Sequence, residues 1–130
     1  MKAYGDAAIL AVKMVNERQA GDPVAAWRVA VREKFSHSAS LQAKGCPKGA
    51  FLGLCSAGFV RGIAPGEYTN SELNRSYAVN AVAYLRSDAT LASDRPRLWK
   101  LATAPNTLRE NSQLDVVLAL WDAGLISKLN

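Results

Sequence analysis

At 130 residues, 49% hydrophobic and 21% charged, the chain has the size and composition of one ordinary globular domain, which argues against disorder and against a disulfide-stapled miniprotein. Its most leader-like stretch, Ala7 to Val12, is six residues long, against the roughly 18 apolar residues of a membrane-spanning helix, so a cytoplasmic protein with no membrane partner is expected. The net charge of +5 lies in the first half: residues 1–62 hold nine Lys/Arg against four Asp/Glu, residues 63–130 seven of each.

The chain reads as helices throughout. The first, about Ala3 to Gln19, places Ala8, Ala11, Val12 and Val15 on one face, and Gly21 is the expected stop. Asp22-Pro23 restarts the chain, since Asp accepts from exposed backbone N–H groups and Pro tolerates a first helical turn. This second helix stacks Val24, Trp27, Val31 and Phe35. A polar joint, Ser36 to Ser40, leaves room for a short helical turn. Gly45-Cys46-Pro47 opens a third helix that ends at Gly58, with Arg61 to Tyr68 as a central loop.

Thr69-x-x-Glu72 is a capping-box pattern and predicts the start of a fourth helix through Tyr77, Ala81, Tyr84 and Leu85. A short fifth helix starts near Ser93 or Asp94 and carries Leu98, Trp99 and Leu101. The sixth is expected to be capped by Asn111 or Ser112 and to end at Gly124. No period-two strand pattern occurs.

The third and sixth helices match at a constant offset of 66: Phe51 to Val60 lies over Val117 to Ile126, both ending Ala-Gly and two apolar residues. Ala11-Val12 corresponds to Ala81-Val82 at offset 70, and Trp27 to Trp99 at offset 72. The expected fold is therefore all-α: a compact single domain, 1–130, of about six helices. It reads as two pseudo-repeated three-helix units, about 3–62 and 69–128, around two buried central helices.

Candidate chemistry is sparse. Arg28, Arg32, Lys44, Lys48 and Arg61 face only Glu33 in their stretch, a pattern suited to nucleic-acid phosphates or to a plain solvated face. A recognition-helix reading of the sixth helix fails chemically, because Val116 to Trp121 has no polar side chain for base edges. Cys46, at a helix start between Lys44 and Lys48, is a weak candidate nucleophile, where a thiolate would be favoured. His37 is its one candidate histidine base, with nothing to place it nearby. The carboxylates are scattered, and Trp27, Trp99, Trp121, Tyr77 and Tyr84 read as core rather than as a stacking platform. One histidine and two cysteines nine apart predict free thiols and no metal. Lys44 to Gly49 is not a phosphate-loop pattern, and no cofactor is expected.

Two stretches, Gly45-Cys-Pro-Lys-Gly-Ala-Phe-Leu-Gly-Leu-Cys55 and Asn111-Ser-Gln-Leu-Asp-Val-Val-Leu-Ala-Leu-Trp121, resemble those of an uncharacterised family of small bacterial proteins, a domain of unknown function. The resemblance extends to Gly66-x-Tyr68-Thr69 and Leu98-Trp99. It implies a bacterial, cytosolic, stand-alone domain and brings no activity, ligand or catalytic residue. The sequence thus favours a non-catalytic binding or interaction module, for a protein partner or a second copy of itself. Nucleic-acid binding through the basic half comes next, and an enzyme using Cys46 last.

Overall fold

In the computed structural model, which describes residues 2–127, the order is α1 (Lys2–Asn16), α2 (Pro23–Lys34), α3 (Ala39–Gln42), α4 (Gly45–Ser56), α5 (Glu72–Ser87), a 3₁₀ turn (Ala89–Ser93), α6 (Arg95–Thr103) and α7 (Gln113–Asp122). α2 and α6 begin where an aspartate satisfies a first-turn N–H group, and α1, α4 and α7 are followed by a residue that turns left-handed. The fold is all-helical, with six helices of nine residues or more and the single turn α3. The only extended pairing among the described residues is an isolated bridge between Val60 and Ile126. Residues 1 and 128–130, counted in the expected domain and its second half, lie outside the described residues.

Several ends differ from expectation. α1 stops at Asn16, and the left-handed residue is Arg18 (φ 60°), not Gly21; Gln19 N–H donates back to Met14 C=O at 2.8 Å. Asp22 and Asp94 do cap α2 and α6, accepting from Ala25 N–H (2.9 Å) and Arg97 N–H (3.3 Å). The capping box at Thr69 does not form. Its hydroxyl accepts from Ser71 N–H in a tight turn, and α5 starts at Glu72, two residues later than that box would place it, with Ser71 at the cap position and no side-chain bond.

At α7 neither Asn111 nor Ser112 caps by its side chain. Ser112 sits at φ 72°, and Glu110 reaches forward to accept from Ser112 N–H (2.9 Å) and Leu114 N–H (3.1 Å). Arg95 bridges Glu110 and Asp115, both at 2.9 Å. Partial burial works to raise the Asp115 carboxyl, but hydrogen bonding and positive charge around it, Arg95 included, hold it below its ordinary value. Glu110→Ala is therefore expected to cost about 1–2 kcal/mol, and Ser112→Ala less than about 0.5 kcal/mol. Urea unfolding of the two variants checks the order.

α4 and α7 end alike. Gly58 and Gly124 are left-handed (φ 78° and 73°). Phe59 N–H donates to Leu54 C=O (3.0 Å) as Leu125 N–H does to Leu120 C=O (2.9 Å). The two tails then exchange bonds: Arg61 N–H donates to Leu125 C=O (2.9 Å), and Ser127 N–H to Phe59 C=O (2.8 Å). Arg86 locks this junction, stacking on the Phe59 ring and donating to Ser127 C=O at 2.6 Å.

The halves pack crosswise, α1 against α7 and α5 against α4, while α4 meets α7 between them. Both crosswise contacts are very close. A Cβ at Gly5 would lie 2.7 Å from Ala119 Cβ, and one at Gly53 would lie 2.5 Å from Arg75 Cα. These are equivalent points by the 70 and 66 offsets, with the glycine on the α1 side in one and on the α4 side in the other.

One cluster of buried side chains draws on all six long helices. α4 is buried continuously from Gly49 to Ser56, whereas α7 leaves Ala119 and Trp121 partly open. Trp27 and Trp99 are core, the first stacked on Phe51 (5.1 Å), the second edge-on to Tyr77 (5.5 Å). Tyr84 is not core, being 39% exposed. The buried stripe of α5 runs Tyr77, Ala78, Ala81, Val82, Leu85, and Tyr84 lies about 20° beyond its Tyr77 edge, two turns further along the helix.

Candidate functional site

α2 presents opposite characters on its two sides. Ala26, Trp27, Ala30 and Val31 are buried, and Arg28 and Arg32, one turn apart, are exposed. α3 folds back against this helix. Ser38 Oγ accepts from Leu41 N–H (3.2 Å), and Gln42 Nε2 donates to Phe35 C=O (2.8 Å). The first turn of α4 closes the third side. Between the three lies a cleft of about 300 Å³ whose polar side chains are Arg28, Arg32, Gln42 and Lys48, with Trp27 among its walls and no carboxylate in its lining. Trp27 is 2% exposed, and its Nε1–H has no hydrogen-bond partner among the described residues. Trp99, its counterpart, donates to Leu108 C=O at 2.8 Å.

Lys48 also borders a second cavity, of about 470 Å³, with Lys44, Cys46, Asn70, Asn74 and Asn111. The loop after α4 returns along that helix, held by Ser56, whose Oγ accepts from Tyr68 N–H (3.0 Å) and whose C=O accepts from Gly66 N–H (3.2 Å). It thereby delivers Asn70 and the start of α5 to the start of α4. Asn111 arrives from the loop before α7 and donates to Cys46 Sγ at 3.7 Å. Neither α4 nor α5 has a side-chain cap, so their partial positive charge faces this cavity together with the lysines.

The structure thus gathers Arg28, Arg32 and Lys48 around one cleft, and Lys44 and Lys48 around the next. Lys44 is half-buried, with its ammonium 5.6 Å from the Tyr4 ring centre. Arg61 does not join them. It follows α4 at the other end, beyond Ser56, which lies about 12 Å from Lys48 along the helix at 1.5 Å per residue, and belongs to the bridge with Leu125.

Cys46 is half-buried at the second cavity, and no histidine or carboxylate lines that cavity; His37 is exposed in the turn after α2. Cys55 lies inside α4, where burial pushes its thiol up. Both are free. A thiol-reagent titration is expected to count one sulfur in the folded protein, Cys46, and a second only on unfolding; two fast thiols would contradict this packing of α4.

Sequence reasoning did not find the site role of Asn70 and Asn74, at the start of α5, or of Asn111, some forty residues later, which share no motif, or the unpaired Trp27 N–H, which depends on what packs around it. A groove between α1 and α7, about 510 Å³, has the opposite lining: Asp6, Asp115 and Asp122 beside Lys2 and Arg95. Among the described residues no three His, Cys, Asp or Glu side chains converge as a metal site, and no helix is long and apolar enough to cross a membrane.

The fold and cleft define a small all-helical protein with a basic face on its first half. The chain belongs to the family of unknown function DUF6979, whose profile matches residues 1–127. No curated protein and no solved structure matches it.

Proposed function

We propose that this protein is a non-catalytic binding module whose basic face, centred on the cleft between α2, α3 and α4, holds the phosphates of nucleic acid. The observation that carries the reading is the collection of Arg28, Arg32 and Lys48 from two helices around one cleft with no carboxylate in its lining. Cations placed this way on an exposed surface release counterions when they meet a phosphate backbone. Lys44, bordering the adjoining cavity, extends the same face.

A protein partner or a second copy, favoured on sequence alone, has weaker support. The exposed large apolar side chains Val29, Leu73, Tyr84 and Leu108 lie on α2, α5 and the loop before α7. Leu73 and Tyr84 are about 16 Å apart along α5, and apolar residues scattered singly do not make a docking patch. The enzyme reading has a half-buried thiol beside an amide and two lysines, but no histidine or carboxylate among the lining residues to act as its base.

The same proposal places the protein in a bacterial cytoplasm, supported by the family resemblance and by two unpaired cysteines. It treats the chain as one domain of two pseudo-repeated units, supported by the common core and by the matching ends of α4 and α7.

Fluorescence anisotropy with mixed-sequence duplex DNA, single-stranded DNA and RNA, from about 50 to 200 mM salt, tests the function. Binding that weakens steeply with salt is expected. An absence of binding at the lowest salt overturns the reading and leaves the basic half as a solvated surface.

A further inference from the structure

Resting on that reading of the basic face, we infer that the cleft beside Trp27 takes the terminal phosphate of a strand, a phosphate monoester, in preference to an internal phosphodiester. Arg28 and Arg32 stand one turn apart on α2, and Lys48 approaches from the first turn of α4. Three cations with no carboxylate between them suit a dianion. A phosphate monoester carries close to two charges near neutral pH, whereas a phosphodiester carries one.

The space agrees. The cleft has about 300 Å³, bounded by α2, α3 and α4, which is at the small end of ligand sites. That volume matches a phosphate and part of its sugar.

Trp27 is an independent observation. Its indole N–H is buried without a partner, while Trp99, the matching residue of the second half, has a loop carbonyl from Leu108 at 2.8 Å. Buried N–H groups are almost always paired. In the first half no loop carbonyl among the described residues takes that place; Trp27 lines the cleft, and its N–H, enclosed in this structure, gains a phosphate oxygen as partner when the indole edge turns toward the cleft on binding.

The test compares one single-stranded sequence carrying a 5′-phosphate, a 3′-phosphate or neither, at a single salt concentration. At least one phosphorylated form is expected to bind about tenfold more tightly, and the 5′ and 3′ arms tell which end is held. Arg32→Gln is expected to erase the difference and Arg61→Gln to keep it. In ¹⁵N–¹H spectra the Trp27 indole N–H, assigned by its loss in Trp27→Phe, is expected to move on adding the preferred strand. If Trp27→Phe does not fold, replacing Trp99 and Trp121 in turn assigns the same signal.

Equal affinity for all three strands overturns the inference and leaves nucleic-acid binding standing. A phosphate preference with a stationary Trp27 signal removes the cleft as its seat. Failure of every strand to bind at low salt overturns both readings.

Discussion

Gly53→Ala is expected to destabilise the protein by about 2–3 kcal/mol net, or to prevent folding, although alanine is the better helix former by about 1 kcal/mol. The added Cβ would lie 2.5 Å from Arg75 Cα and 2.7 Å from its Cβ. These atoms belong to the backbone and root of α5, so no rotamer change makes room. α4 cannot retreat either, because it is buried from Gly49 to Ser56 and packs against α7 as well as α5. Gly45→Ala is the control: it stands at the exposed start of α4 with nothing within 4 Å of an added Cβ, and a change within about 0.5 kcal/mol is expected. Denaturant midpoints at unchanged slope measure both. A Gly53→Ala protein as stable as the parent would mean that α4 and α5 do not cross here.

Reversing Arg28 and Arg32 together to Glu is expected to abolish binding of nucleic acid at about 100 mM salt while leaving the fold intact. Both side chains are exposed and, among the described residues, neither takes part in an ion pair or capping bond, so the unfolding midpoint should move little. With neutral Gln at both sites, residual binding to a single strand should show a salt slope shallower by about 1.4, since each phosphate contact contributes about 0.7. Arg61→Glu, at the far end of α4, is expected to change the slope by much less. Equal losses from Arg61→Glu and the double reversal would mean that net charge, not the cleft, attracts the ligand.

These two predictions draw on different levels of information. The glycine was visible in sequence only as one of nine; its demand arises from a backbone 22 residues further along the chain. The arginines were visible as a basic stretch, yet the stretch also included Arg61, which α4 carries to its opposite end. Linear charge density cannot tell these apart, because a helix of twelve residues separates what sequence places side by side.

Caps divide the same way. Asp22 and Asp94 act on N–H groups three residues ahead, a purely local reach, and both perform as their positions imply. Thr69 and Ser112 have the right chemistry but the wrong backbone: one closes a turn before the helix and the other is left-handed. Glu110 takes over at α7 because Arg95, fifteen residues earlier, holds its carboxylate in place.

Periodicity and local capping by themselves determined that this chain is helical and where most helices start and stop; of the two central helices expected to be buried all round, α4 is so from Gly49 to Ser56, while α7 leaves Ala119 and Trp121 partly open. The same patterns also exposed the 66-residue correspondence that ends in two left-handed glycines. Tertiary structure alone decided that the halves pack crosswise, which cations share a cleft, that three asparagines line a cavity with Cys46, and that Trp27 lacks the partner Trp99 has. The physical reason is range. Helix formation depends on residues three or four apart, whereas a cleft depends on how segments dozens of residues apart approach, which the core sets and no local pattern encodes.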